Sequence, residues 1–213
     1  MKTDELVTML ATGAGAVDPG ATTRRFALAA GGGALGAALL MAIVLGVRHD
    51  LAQAVAQPMF WVKSGYVVCL ALASLYAVSC LARPGSRLIG ATVALTAPVL
   101  LMWALAGIEL ADADNATRAE LFFGTSWTSC PVLIATLSLP AFFTMLWAVK
   151  QMAPTRLHLA GGAAGLAAGA IGAAVYSLHC TEMSAPFLGL WYLLGVLIPT
   201  AAGALLGPRL LRW

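Results

Sequence analysis

Charge is scarce in this chain. Asp, Glu, Lys and Arg together make up 10% of its 213 residues and histidine contributes three, too little for the solvated surface of a soluble globular domain, where about 25% of residues are charged. No basic stripe with interleaved aromatics lies outside the apolar runs, which excludes a direct nucleic-acid surface and leaves the net charge of +3 to be explained otherwise. Cysteine is scarce too. There are four, with no C-x-x-C and no H-x-x-x-H spacing, so the strong signatures of a dithiol oxidoreductase and of a metal centre are missing. No internal repeat is apparent, inverted halves with broken helices are not detectable, and no acid or base sits at mid-span, which argues against a pump or ion carrier.

Apolar length is in excess. Hydrophobic residues reach 61% and the mean hydropathy is +0.89. Six stretches are long enough to cross a hydrocarbon core that needs about 20 helical residues: 26–47, 59–82, 88–109, 126–149, 157–178 and 186–207. They lack the alternating polar residues of a membrane barrel, and in lipid each segment must satisfy its own backbone hydrogen bonds. The expectation is an all-α polytopic membrane protein, six transmembrane helices in one bundle (26–213) behind an N-terminal tail (1–25).

Basic residues orient it. With the N-terminus cytoplasmic, that side carries Lys2, Arg24, Arg25, Arg83, Arg87, Lys150, Arg156, Arg209 and Arg212, nine of the twelve, and the outer side keeps Arg48, Lys63 and Arg118. The asymmetry predicts both termini in the cytoplasm and explains the net charge as topology. Thr23-Arg24-Arg25-Phe26 resembles a twin-arginine signal, but the apolar run continues to Val47 and five more follow, so the arginines anchor span one.

In the tail, Thr3 is a candidate helix cap, Asp4 and Glu5 suit the N-terminal dipole, and Leu6, Met9 and Leu10 make an i, i+3, i+4 stripe. Two acids and one lysine suit a basic protein surface better than anionic lipid. Gly13 to Thr22 reads as a tether of at most about 33 Å. Within the bundle, Gly161, Gly165 and Gly169, and Gly32 with Gly36, recur every four residues and let helices approach closely. Pro98, Pro140 and Pro199 lie inside spans and predict kinks. Lys63, one turn into span two, has Glu109 as a candidate intramembrane partner, although snorkelling to the headgroups explains the lysine without function. His158 reads as an interfacial anchor.

Chemistry concentrates on the outer face. Cys130 opens span four and Cys180 lies in the loop between spans five and six. With His179 and Glu182 as auxiliary ligands they offer soft and borderline donors to a transient heavy-metal ion, and no resident cofactor is expected. The same thiols can form a disulfide, reactive or plainly structural. Cys69 and Cys80, inside span two, read as inert packing residues.

Several segments carry a family resemblance: Met1-Lys2-Thr3, Pro58-Met59-Phe60-Trp61-Val62-Lys63, the Arg83-Pro84-Gly85 turn, Ser126-Trp127 with Cys130, Ala153-Pro154-Thr155-Arg156, His179-Cys180-Thr181-Glu182-Met183-Ser184-Ala185-Pro186-Phe187, Trp191-Tyr192 and Leu210-Leu211-Arg212-Trp213. In these the chain resembles, end to end, the NrsF-type negative regulators of extracytoplasmic-function sigma factors, six-span inner-membrane anti-sigma factors of proteobacteria. The resemblance implies a non-enzymatic regulator whose partners are a sigma factor and the lipid bilayer. The sigma factor would be held by the cytoplasmic segment with Thr3, Asp4, Leu6, Met9 and Leu10, and an outer pair, Cys130 and Cys180, would register heavy-metal or oxidative stress. A membrane thiol oxidoreductase and a small-solute transporter are the alternative classes.

Overall fold

Runs of leucine, alanine and valine interrupted only by glycine and proline have one local way to satisfy their backbone groups in an apolar medium, and helix is what they form. The computed structural model describes residues 3–13, 20–82 and 88–212, with no strand among them. The Arg83-Pro84-Gly85 turn, tether residues 14–19 and the Leu10 side chain lie outside the described residues.

Helix α1 spans Thr3–Gly13, with Asp4 and Glu5 in its first turn. Then come α2 (Ala21–Val44), the single turn α3 (Leu51–Ala54), α4 (Pro58–Leu81), α5 (Ile89–Asp112), α6 (Asn115–Phe123), α7 (Cys130–Leu137), α8 (Leu139–Lys150) and α9 (Leu157–Tyr176). The last span, Ala185–Leu210, runs as α10 (Ala185–Phe187), a π-helical turn (Leu188–Tyr192) and α11 (Leu193–Leu210). Five helices are long and apolar enough to cross a membrane, and a sixth crossing is made if α7 and α8 count as one span. Their outward faces are apolar as well, with Leu28, Leu35, Leu39 and Ile43 of α2 exposed; this dressing is compatible with a membrane protein.

The kink expected at Pro140 is present in the fourth span, whose helix begins at Cys130 rather than 126. The chain bends by 46° between α7 and α8. Pro140 has no N–H to give the carbonyl of Thr136, and its ring crowds that turn. The buried Ser138 hydroxyl turns back to donate to Ala135 O at 2.6 Å.

Helix α9 is the hub, with 14 of its 20 residues buried; in α5 only Ala91, Met102 and Ala106 are. Its glycines are the reason. A Cβ on Gly161 would strike the Gly203 carbonyl, and one on Gly165 the Pro199 carbonyl, both backbone atoms of α11 that no side-chain rotation can move aside. In α2 the touching pair is Gly33 and Gly36, not Gly32 and Gly36: Gly33 packs on Ala141 and Gly36 on Pro140, while Gly32 faces open space. Thr144 fixes this seam by donating to Ala29 O at 2.8 Å. His158 is not a simple anchor, since its Nδ1 lies 2.9 Å from Ala204 O and ties α9 to α11.

Gly165→Leu is expected to destabilise the bundle by at least about 3 kcal/mol, because the overlap is with backbone. Gly32→Leu should be silent. Thermal unfolding of both variants in detergent checks the pair; equal midpoints would refute the packing account.

Candidate functional site

The connection after α9, residues 177–184, and the first residue of α10 are gripped by five other parts of the chain. From the α2–α3 connection, Arg48 N–H donates to Leu178 O at 3.2 Å, its guanidinium reaches Cys180 O at 3.4 Å, and Gly46 O lies 2.9 Å from His179 Nδ1. From α4, the Lys63 ammonium donates to Cys180 O at 2.8 Å and Glu182 O at 3.0 Å. From the α6–α7 connection, Thr125 gives the Glu182 carboxylate its N–H at 2.8 Å and its hydroxyl at 2.6 Å. Gly124, at φ 53, leaves room for that carboxylate, which a Cβ there would meet at 2.7 Å. From α5, Glu109 accepts the Ala185 N–H at 2.9 Å, and Ser184 donates to Leu121 O of α6.

Inside this grip sit the two cysteines. Cys130, first residue of α7, is 0% exposed and Cys180 is 3% exposed; both are free thiols in one apolar cluster with Tyr66, Tyr176 and Tyr192. The Tyr192 hydroxyl is buried beside Cys180 without a well-formed hydrogen bond. Lys63, 0% exposed, lies 5.2 Å from the centre of the Tyr192 ring. The π-helical turn carries Trp191 and Tyr192 into the site. Trp191 donates to Phe122 O at 2.8 Å and packs 5.2 Å from Trp127. Such turns place side chains that a regular helix would aim elsewhere.

Two expectations are corrected here. Lys63 and Glu109 form no ion pair: among the described residues the ion pair is Arg48 with Asp50, and Glu109 is taken by a backbone amide. Nor does Lys63 snorkel, because loop carbonyls 180 and 182 solvate it inside. Of the four candidate metal donors, His179 has its Nδ1 2.9 Å from Gly46 O and Glu182 accepts from Thr125, and no group of three metal-ligating side chains occurs among the described residues. What the structure does join is Cys130, Cys180 and Lys63. Cys69 faces outward while Cys80 is buried.

Sequence reading missed Tyr176, Tyr192, Arg48 and Thr125. Tyr176 and Tyr192 carried a faint signal, since a tyrosine within an apolar span needs a partner for its hydroxyl. Arg48 and Thr125 carried none.

A cleft of about 430 Å³ opens beside Cys180, lined by Arg48, Asp50, Ser129, Tyr176 and His179 among others. The Arg48 guanidinium, hydrogen-bonded to Asp50 at 2.7 Å, holds that carboxyl down at about 2 and is itself raised by it. The ion pair therefore persists down to acid and is lost only as pH falls through about 2.

Residues 10–213 match the family model described as "NrsF: Negative regulator of sigma F". The chain is 57% identical to the probable anti-sigma-F factor NrsF of Azospira oryzae over 213 residues, and 44% identical to the anti-sigma-F factor NrsF of Caulobacter vibrioides over 220 aligned positions, with 100% of both chains covered in each case. No solved structure gives a significant match.

Proposed function

The chain belongs to the family of negative regulators of sigma F, and on that premise we propose that it is an inner-membrane anti-sigma factor that holds an extracytoplasmic-function sigma factor through α1 and releases it when Cys130 and Cys180 react with a heavy metal or an oxidant. Both termini lie in the cytoplasm in this reading, supported by the nine basic residues on that side. The cysteine loop then faces outward.

The observation that carries the reading is the position of α2. One end of this helix adjoins the tail; the other runs into the short connection that carries Gly46 and Arg48, which bond to Leu178, His179 and Cys180. A change of state at the thiols moves the loop, and the loop is tied to the helix that bears the tail. That supplies two sites and a physical element both can bias. Bonding one sulfur to the other, or both to a soft ion, is the differential interaction such a switch requires.

The test captures the detergent-solubilised protein from its native host, with and without residues 1–25, and identifies bound cytoplasmic proteins. A sigma factor bound only to the full chain is expected; equal capture by the truncated chain sinks the tail as the binding element.

The thiols should act as one unit. Cys130→Ser, Cys180→Ser and the double variant are expected to lose induction by metal or oxidant to the same extent, since removing either sulfur removes the shared bond. A stress-responsive reporter, normalised to protein abundance, checks it. Full induction in both single variants would return the cysteines to packing.

A further inference from the structure

We infer that the cleft beside the 177–182 loop is the port for a small hydroperoxide, and that the two thiols react in a fixed order, Cys180 first and Cys130 second. The inference rests on the reading of this pair as the sensor and adds the ligand class, the route and the sequence of events.

The cleft reaches one sulfur residue and not the other. Cys180 lines it; Cys130 does not, and is fully enclosed. A solute arriving from the open side therefore meets Cys180 with Cys130 behind it. His179 also lines the cleft, with its Nδ1 2.9 Å from Gly46 O. A carbonyl oxygen only accepts, so Nδ1 carries the proton and Nε2 is left as a base. The buried Lys63 ammonium, 2.8 Å from the Cys180 carbonyl and with no carboxylate ion-pair partner among the described residues, places a positive charge where a thiolate would form. Because no group of three metal-ligating side chains occurs among the described residues and the Glu182 carboxylate is held by Thr125, oxidation fits the two free thiols better than a multi-ligand metal site does.

The steps balance. The Cys180 sulfur, its proton taken up by His179, attacks the terminal peroxide oxygen; the O–O bond breaks, the alkoxide leaves as an alcohol with that proton, and Cys180 becomes a sulfenic acid. The Cys130 sulfur then attacks Cys180 sulfur, the S–O bond breaks, and water leaves carrying the Cys130 proton and the hydroxyl. One peroxide is reduced by two electrons and two thiols become one disulfide.

The experiment treats the purified full chain in detergent with tert-butyl hydroperoxide and traps sulfenic acid with dimedone for mass spectrometry. Wild type should yield a Cys130–Cys180 disulfide. Cys130→Ser should accumulate dimedone on Cys180, and Cys180→Ser should label Cys130 about tenfold more slowly or not at all. Ser129→Trp, filling the cleft from an exposed lining position, should slow the wild-type reaction. Equal labelling of the two single variants overturns the order. Absence of any oxidation, with Cd²⁺ protecting both thiols from N-ethylmaleimide, overturns the oxidant in favour of a soft cation. If the order holds while the reporter still responds to stress in both cysteine variants, the sensor reading fails and the port stands.

Discussion

Replacing Leu6 and Met9 of α1 together with alanine is expected to switch on the sigma-factor regulon in unstressed cells, close to its induced level. Both side chains are exposed and lie on one stripe of a helix of 11 residues. A helix that short is marginal alone in water and is stabilised by whatever its apolar face covers. If that face seats in a groove of the sigma factor, each side chain contributes about 1.5–3 kcal/mol on burial. Losing both then weakens binding by about 3–6 kcal/mol, roughly 10² to 10⁴-fold. Few regulators are present in enough excess to absorb that. The measurement is a sigma-dependent reporter with the variant's membrane abundance checked, alongside co-purification of the partner. Unchanged repression at normal abundance would remove α1 from the binding surface and shift attention to the connections between the spans.

Lys63→Met should act by an opposite route, loosening the cysteine loop with the tail intact. The ammonium makes hydrogen bonds of 2.8 and 3.0 Å to the carbonyls of Cys180 and Glu182, each worth about 1.5–3 kcal/mol for a charged donor, and a contact with the Tyr192 ring worth about 2 kcal/mol when desolvated. Against these stands a desolvation penalty of several kcal/mol for a fully enclosed charge. The terms nearly cancel. Methionine, close in volume, should therefore change global stability little while removing the Lys63 donor from the Glu182 carbonyl and leaving the Cys180 carbonyl only the 3.4 Å contact with Arg48. The expected result is a nearly unchanged unfolding midpoint, faster hydrogen exchange over residues 178–184, and a regulon partly on without stress. Wild-type exchange in the loop together with full repression would show that Lys63 merely fills space. A collapse of the midpoint would instead make it a keystone of the fold.

Much of this was legible in the chain. Long apolar runs leave no alternative to helices, so the helical spans and most of their ends followed from composition and length, with α4 and α9 starting within one residue of expectation. The Gly161, Gly165 and Gly169 repeat announced a close helix contact for the same reason, since absence of a side chain is itself a sequence fact. The choice of Gly33 over Gly32 was not readable, because helical phase relative to a neighbour depends on which neighbour arrives.

Side-chain partnerships at the loop were the least legible part. Lys63 and Glu109 are the sort of residues a linear reading pairs by sign, yet one was taken by carbonyls and the other by an amide. Glu182 stands near Cys180 in sequence and looked like its fellow ligand, but its carboxylate is taken by Thr125, and His179 gives one ring nitrogen to Gly46 O.

The sequence alone determined that the chain is helical, apolar throughout and charged mainly at its connections, because hydrogen-bond satisfaction and hydropathy are local properties of each segment. Only the tertiary structure decided that Cys130 and Cys180 share one buried cluster, that of the two the cleft is lined by Cys180 alone, and that the connection following α2 is bonded to the loop that carries Cys180. Those facts depend on which helix ends meet, and that is settled by packing among residues 50 to 133 positions apart.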